Sequence, residues 1–296
     1  MALFDAPLLF DGGLGTHLEA LGYDISGPLW SARVLRETPA LIESAHADFF
    51  AAGAQVATTA SYQITFDVLG GEAESLLHRS VTVASDAARK AGDRHAAHGD
   101  LLVAASVGPY GAGPGRGNEY DGAYGLSAHE LRRWHARRVE VLADTEADFL
   151  LAETIPNVDE AAVLLELLSA QPKPFALSIT GAIAADPTKL SQVIALANQT
   201  PRLGAVGVNC VRPPQVWAVV KALRAGTDKP LLACPNSGEI WDHGARDWRP
   251  APAGAMGLTE AAAEMRAAGV GLLGGCCRVG PAGIRQLHRS IRFDGK

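Results

Sequence analysis

Several features that would place this chain in other classes of protein are missing from its sequence. Basic residues number 26 against 32 acidic ones, and the resulting net charge of -6 makes nucleic acid or an anionic membrane a poor partner. No stretch approaches the roughly 18 uncharged apolar residues of a membrane-spanning helix. The N-terminus lacks a basic segment followed by a long apolar core, so we expect no signal peptide.

Cysteine, histidine clusters and linkers are also scarce. The chain has four cysteines in 296 residues without a small-domain disulfide pattern, which favours a reducing, cytoplasmic location. The histidines are not grouped at metal-ligand spacing. No segment is low-complexity enough to be a linker, and 48% hydrophobic residues suffice for a large core. We therefore predict one domain over residues 1–296.

Eight short apolar runs recur along the chain and are continuous rather than alternating, which is typical of strands buried in a parallel sheet. The predicted strands are Leu8–Asp11, Gln55–Ser61, Leu101–Val107, Asp148–Glu153, Phe175–Thr180, Ala205–Cys210, Pro230–Pro235 and Val270–Gly274.

Helical segments separate these runs, and some begin with capping signals such as Ser127 three residues before Glu130. The predicted helices are Pro39–Ala52, Ala73–Ala91, Ala128–Ala147, Asp159–Leu168, Leu190–Ala197, Pro214–Arg224 and Leu258–Ala268. Eight βα units in a chain of this length predict an α/β fold, a (β/α)8 TIM barrel. The competing doubly wound sheet would show a phosphate-binding glycine fingerprint, which Asp11–Thr16 and the predicted insertion loop Gly111–Gly117 both lack.

Three of the four cysteines lie where predicted strands end. Cys210 closes the sixth run, and Cys276 and Cys277 follow the eighth after Gly274 and Gly275, which we expect to supply backbone freedom for a sharp turn. Chemistry in such barrels lies at the carboxyl ends of the strands. Three converging thiolates predict a Zn²⁺ site with one open position, and a thiol substrate in that position would be deprotonated. The alternative is three buried apolar cysteines, as we expect for Cys234 inside the seventh strand.

Two acids also end predicted strands. Asp11 and Glu153 can bind an ammonium group, or else cap a loop or form a salt bridge. Backbone N–H groups of Gly12 and Gly13 can hold a carboxylate. An ammonium site and a carboxylate site beside a thiol site together match an amino acid that carries a thiol.

Further candidates surround this predicted site. Asn209 and Asn236 lie near it and are candidate substrate-binding residues. Aromatic rings near the barrel mouth can attract a cationic ligand or simply pack in loops; they are Trp30, Tyr62, Tyr110, Tyr120 and Tyr124. The basic run from Leu131 to Arg138 is interpreted as a solvated helix face.

Over essentially its whole length the chain resembles the homocysteine S-methyltransferase family, zinc-dependent (β/α)8 barrels. The resemblance implies that Cys210, Cys276 and Cys277 hold zinc and that Asp11 and Glu153 contact the homocysteine amino group. The motifs that carry it are Asp11–Thr16, Thr59–Gln63, Gly108–Gly111, Glu153–Pro156, Gly207–Cys210, Pro235–Glu239 and Gly274–Arg278.

The resemblance also bears on the methyl donor. The betaine-using branch has an aromatic residue after the strand-four glutamate and a C-terminal extension, whereas here Thr154 follows Glu153 and the chain stops soon after the last helix. We therefore expect S-methylmethionine or S-adenosylmethionine as donor and homocysteine as acceptor, without a catalytic side chain beyond the activated substrate thiol. The alternatives are a betaine-dependent enzyme, a non-catalytic zinc- or thiol-binding member and, less well supported by the ligand types, a zinc hydrolase. The oligomeric state is left open.

Overall fold

The computed structural model describes residues 3–25, 29–95, 100–113, 118–242 and 247–290. Eight parallel strands form one sheet with helices between them. The sheet strands are β1 (Leu8–Leu9), β2 (Val56–Thr58), β3 (Leu102–Val107), β4 (Phe149–Ile155), β5 (Phe175–Ile179), β6 (Leu203–Asn209), β7 (Leu231–Cys234) and β10 (Val270–Leu273). A separate antiparallel hairpin consists of β8 (Ile240–Asp242) and β9 (Asp247–Arg249).

The sheet closes into a barrel. Its hydrogen-bonded order is β1-β10-β7-β6-β5-β4-β3-β2, and a parallel bridge between Phe10 and Val56 joins the two ends. Two backbone hydrogen bonds reinforce that seam, from Gln55 N to Leu9 O (2.7 Å) and from Asp11 N to Val56 O (3.0 Å). The predicted (β/α)8 barrel is therefore confirmed, and the carboxyl ends of all eight strands share one face.

The helices follow the strands in the alternation that the sequence predicts. They are α1 (Leu14–Ala20), α2 (Trp30–Glu37), α3 (Pro39–Ala51), α4 (Phe66–Leu69), α5 (Glu72–His95), α6 (Ala128–Ala143), α7 (Val158–Ser169), α8 (Gly181–Ala184), α9 (Pro187–Asn198), α10 (Pro213–Gly226), α11 (Leu258–Ala267) and α12 (Pro281–Ser290). All seven helices proposed from the sequence are present, with ends shifted by up to four residues. Helices α1, α2, α4, α8 and α12, and the β8–β9 hairpin, are not among the predicted segments. Each of these helices has ten residues or fewer, and hydrophobic periodicity is a weak signal over so short a segment.

Inside the barrel, side chains rather than solvent fill the space beneath the carboxyl-end face. Phe10 and Phe149 are buried there, and Phe4 packs edge-on against Phe149 with ring centroids 5.1 Å apart. Cys234 packs with these aromatic side chains and is 8% exposed, as expected for a core cysteine. The packed interior closes the barrel from below, so a ligand must enter from the strand carboxyl ends.

The basic segment of α6 is not a uniformly solvated face, and that interpretation is wrong for two of its residues. Arg138 and His135 are buried because they lie on the side of α6 that faces the barrel. Arg138 donates to the carbonyl of Gly108 and to His135 Nδ1, while His135 Nε2 lies 2.8 Å from Glu160 Oε1. Glu160 also accepts from the N–H of Tyr110 (2.6 Å), so this network fixes the start of the β3–α6 loop.

Two other predictions from the sequence concern the insertion loop after the third strand and membrane-spanning helices. The predicted insertion after the third strand begins with a 3₁₀ turn at Tyr110–Ala112, and its residues 114–117 lie outside the described residues. Among the residues that the structure describes, no helix is both long and apolar enough to span a membrane.

The start of α6 offers a test of the sequence-level capping signal. Ser127 accepts a hydrogen bond from Glu130 N, and Glu130 reaches back to Ser127 N. Ser127→Ala removes this cap, and we expect the free energy of unfolding to fall by about 1 kcal/mol in a denaturant titration. Ser191→Ala is the control, because that exposed hydroxyl bonds inside α9 to Pro187 O; equal losses in both variants would contradict the assignment.

Candidate metal and substrate site

A cavity of about 140 Å³ opens at the carboxyl ends of the barrel strands. Residues at or just after the ends of seven of the eight sheet strands line it. Its chemically distinctive lining comprises Asp11, Thr58, Glu119, Glu153, Ser178, Asn209, Cys234, Cys276 and Cys277. The strand ends thus bring together residues that are up to 266 positions apart in sequence (Asp11 to Cys277).

The end of β7 and the residues just after it fix the backbone positions of the three predicted cysteine ligands. Cys210 N donates to Cys234 O (3.1 Å), and Cys276 N donates to Pro235 O (2.8 Å). Ser237 N donates to Cys277 O (3.1 Å). This short stretch of chain therefore sets the distance between the backbone of Cys210 and that of the Cys276–Cys277 doublet.

The sulfurs of Cys210, Cys276 and Cys277 lie within 4.8 Å of one another, and those of Cys210 and Cys277 are 3.4 Å apart. Hydrogen bonds from Cys210 and then Cys276 lower the pKa of the Cys277 thiol well below its ordinary value, whereas hydrogen bonding to Cys210 and Cys277 raises that of Cys276. The protonation of each of the three thiols therefore depends on the protonation of the other two. This group can hold a metal ion.

The backbone at this cluster is strained. Cys210, Thr154 beside Glu153, and Arg278 beside Cys277 all have positive φ, at 57°, 60° and 65°. Such left-handed conformations cost non-glycine residues about 1–3 kcal/mol each and concentrate at functional sites. The surrounding hydrogen bonds hold them, including two from the Arg278 guanidinium to Glu239 (2.9 and 3.0 Å).

The two glycines before the cysteine doublet have a different role from the one expected. Neither Gly274 nor Gly275 has positive φ, so the turn does not depend on their conformational freedom. A Cβ on Gly274 would lie 2.6 Å from Phe10 Cβ, and one on Gly275 would lie 2.3 Å from Val279 Cγ1. These glycines are needed for close approach of neighbouring chain segments.

Asp11 is 3% exposed at the end of β1. Its carboxylate accepts from Thr58 N (2.8 Å) and Thr58 Oγ1 (2.9 Å). Burial nevertheless raises the pKa of Asp11 to about 8, despite these hydrogen bonds. A cation bound here would restore the charged carboxylate.

Glu153 lies at an irregularity of β4, where the register with β5 shifts between Ala152 and Ile155. The hydroxyl of Ser106 donates to its carboxylate, and burial raises the pKa of Glu153 to about 7. The predicted strand end at Glu153 is two residues short, because β4 continues through Thr154 to Ile155. The irregularity turns Glu153 into the cavity.

The two predicted asparagines have different positions. Asn209 lines the cavity, and its Oδ1 accepts from Thr154 N (2.9 Å) and Ser178 Oγ (2.8 Å), while its Nδ2 lies 4.0 Å from Cys276 Sγ. Asn236 does not line the cavity; its Oδ1 accepts from Gly238 N (3.1 Å) and so shapes the loop after β7.

The glycine turn after β1 lines the cavity next to Asp11. Gly13 N donates to Val279 O (3.0 Å), so this N–H group is already engaged and does not face a ligand as an unpaired donor. A Cβ on Gly12 would lie 1.9 Å from Val279 O, which explains why glycine is required there.

The aromatic candidates divide into two sets. Trp30, Tyr62 and Tyr120 line the cavity, and the hydroxyl of Tyr120 is 3.4 Å from Cys210 Sγ. Tyr110 and Tyr124 pack against each other with ring centroids 5.1 Å apart, outside the cavity lining.

Several residues of the site were missed at the level of sequence. Thr58, Ser106 and Ser178 hold the acidic and amide groups in place, but small hydroxyl residues inside apolar runs look like ordinary strand residues. Glu119 lies in a polar loop, where a single acid has no distinguishing pattern.

The ionisable groups that line the cavity are all acidic. Asp11, Glu119 and Glu153 line it together with thiols, and no lysine, arginine or histidine is among the described residues that line it. The lining is therefore suited to ligands with positive charge.

A barrel with such a strand-end site defines an enzyme fold with a candidate metal centre, and sequence comparison assigns it to a family. The family model described as homocysteine S-methyltransferase matches residues 8–291. The chain belongs to the homocysteine S-methyltransferase family and is thus a methyltransferase.

Individual relatives agree over nearly the whole chain. Homocysteine S-methyltransferase 4 of Zea mays is 41% identical, covering 95% of this chain and 88% of that protein. Selenocysteine Se-methyltransferase of Brassica oleracea var. italica is 38% identical, covering 96% and 88%. The crystal structure of the Escherichia coli homocysteine methyltransferase MmuM in its metallated form superimposes with a TM-score of 0.83 at 37% identity, covering 97% of each chain.

Metal content tests the cysteine cluster directly. Replacing Cys210, Cys276 or Cys277 singly by alanine removes one of three candidate ligands, so we expect bound metal, measured by elemental analysis of purified protein, to fall to a small fraction of wild type. Cys234→Ala is the matched control, because Cys234 is a buried core thiol outside the cluster, and it should retain the metal. Full metal occupancy in the three cluster variants would contradict the site.

The raised pKa of Asp11 predicts a pH effect on the metal-free protein. Because the folded pKa of about 8 exceeds the unfolded value of 3.8, stability from the protonated carboxyl is complete below about pH 4 and is lost as the pH rises towards 8. Asp11→Asn cannot ionise, so the difference in unfolding free energy should shift in its favour between pH 4 and 8. A pH-independent difference in denaturant titrations would exclude this effect.

Proposed function

We propose that the protein transfers a methyl group from a sulfonium donor, S-methylmethionine or S-adenosylmethionine, to the thiol of L-homocysteine, giving methionine. The observation that carries the proposal is the convergence of three cysteine sulfurs beside a cavity that Cys276, Cys277 and the buried carboxyl residues Asp11 and Glu153 line. Family membership and the names of the relatives support the acceptor.

The three cysteines fit zinc as the resident ion. An all-sulfur set of ligands is characteristic of zinc among the common divalent ions, and three protein ligands leave a fourth position open. The E. coli relative has a metallated form, which supports a metal ion at this site without naming the element. Zinc held by Cys210, Cys276 and Cys277 would keep a bound thiol ionised at neutral pH, where a free alkyl thiol with a pKa of about 8.5 is mostly protonated.

Asp11 and Glu153 are proposed to bind the homocysteine ammonium group. Both carboxyls have raised pKa values, and a bound cation offsets the burial that raises them. Thr58 and Ser106 hold the two carboxylates, so that little rearrangement is needed on binding. Asn209 lies between this ammonium site and the cysteines and is proposed to contact the substrate between its two ends.

The acceptor carboxylate is proposed to lie against the turn that starts at Gly12. Because Gly13 N is bonded to Val279 O, Gly13 contributes close approach rather than a hydrogen bond. Asn236 is proposed to act indirectly, by shaping the loop that also bonds to Cys277.

Methyl transfer then needs two reactants held in line. The bond between the sulfonium sulfur and its methyl carbon breaks, and a bond from that carbon to the homocysteine sulfur forms. The electron pair of the broken bond stays on the donor sulfur, which becomes a neutral thioether, and the thiol proton has left beforehand. The chain's contribution is to hold the sulfur and methyl carbon at about 3–3.5 Å, without a side chain acting as general base during transfer.

Methionine formation from homocysteine by zinc-loaded protein tests the proposal. S-methylmethionine, S-adenosylmethionine and betaine are supplied in parallel, and we expect turnover with a sulfonium donor and none with betaine. Turnover with betaine alone would contradict the sulfonium assignment. No turnover with any donor, on protein that holds one zinc ion, would contradict methyl transfer and favour a non-catalytic zinc- or thiol-binding role.

A further inference from the structure

The cavity has one more acidic group than the proposed acceptor needs. Homocysteine carries one ammonium group, which Asp11 and Glu153 together can bind deep at the strand ends. Glu119 is a third carboxylate in the same lining, contributed by the β3–α6 loop rather than by a strand. No basic residue is among the described lining residues, so a bound cationic ligand would favour the ionised form of Glu119.

Glu119 is positioned by phenol groups and has no ion-pair partner among the described residues. Tyr62 donates from its hydroxyl to Glu119 Oε2 (3.4 Å), and Tyr120 also hydrogen-bonds to this carboxylate. The side chain is partly buried. Neutral donors thus orient the carboxylate without neutralising it.

Glu119 also faces the cysteine cluster. Burial, and then the nearby Cys210, raises the pKa of Glu119 to about 7, and Glu119 in turn acts electrostatically on the Cys277 thiol. The adjacent Tyr120 links the same loop to the cluster through its contact with Cys210 Sγ (3.4 Å). A cation held by Glu119 would therefore lie on the cysteine side of the cavity, where the methyl donor must approach the acceptor sulfur.

We propose that Glu119, with the rings of Tyr62 and Tyr120, forms the binding subsite for the sulfonium centre of the methyl donor; this rests on the proposed function. The carboxylate supplies the counter-charge, and the two rings supply faces that attract a cation. After transfer the donor sulfur is a neutral thioether, so the attraction to Glu119 disappears. The subsite thereby distinguishes the charged substrate from the neutral product.

The decisive variant is Glu119→Gln, which keeps the shape and an oxygen for the Tyr62 hydroxyl but removes the charge. We expect the donor KM to rise about tenfold or more, as for loss of a partly desolvated charge interaction. The homocysteine KM and zinc content should stay within about twofold of wild type. Calorimetric titration of zinc-loaded protein with S-methylmethionine in the absence of homocysteine should show a matching loss of affinity.

Two further variants test whether the effect comes from the charge of Glu119 itself or from removing any charge in the same loop. Asp121→Asn removes an exposed carboxylate two residues away that accepts from Ala123 N and does not line the cavity, so its donor KM should match wild type. Glu119→Asp keeps the charge and should recover part of the lost donor affinity.

The outcomes distinguish this proposal from the one on which it rests. Wild-type turnover with an unchanged donor KM and affinity in Glu119→Gln would overturn the subsite alone. An equal rise in the homocysteine KM would also overturn it, because Glu119 would then serve the acceptor or the general shape of the site. Wild-type protein that holds zinc but transfers no methyl group from any donor would overturn the proposed function, and the subsite with it.

Discussion

The hydrogen bonds that join the end of β7 and the residues just after it to the three clustered cysteines are the constraint on which the site depends. Cys234 O, Pro235 O and Ser237 N contact the backbones of Cys210, Cys276 and Cys277, respectively. Because β6, β7 and β10 are adjacent parallel strands, their register decides whether the sulfurs meet. The strained backbone at Cys210 is tolerated since the barrel determines the positions on both sides of it.

The second constraint is charge. Burial raises the pKa values of Asp11 and Glu153, and three thiols lie nearby, so the folded site is destabilised by its own ionised groups until positive charge is bound. A metal ion or cationic ligand bound in the proposed site would therefore stabilise the fold through linkage. The affinity of the site for cations and the ionisation of its acidic groups therefore depend on the same electrostatic interactions.

Support for the site extends beyond the strand ends to the outer helices. The buried network of Arg138, His135 and Glu160 on α6 and α7 bonds to Gly108 and Tyr110, at the start of the β3–α6 loop. Farther along, that loop presents Glu119 and Tyr120 to the cavity. The barrel thus positions the proposed acceptor-binding groups through its strands, whereas the proposed donor-binding groups depend on a loop that the outer helices anchor.

Sequence alone determined the eight buried strands, most helices and the cysteine, Asp11 and Glu153 candidates, because continuous apolar runs and residues at their ends are local patterns. It could not determine that Gly274 and Gly275 are needed for space, that Arg138 is buried, or that Glu119 reaches the cavity. Each depends on which segments meet across the barrel. Only the tertiary structure decides such contacts, since they join residues far apart in the chain whose local sequence carries no record of their partners.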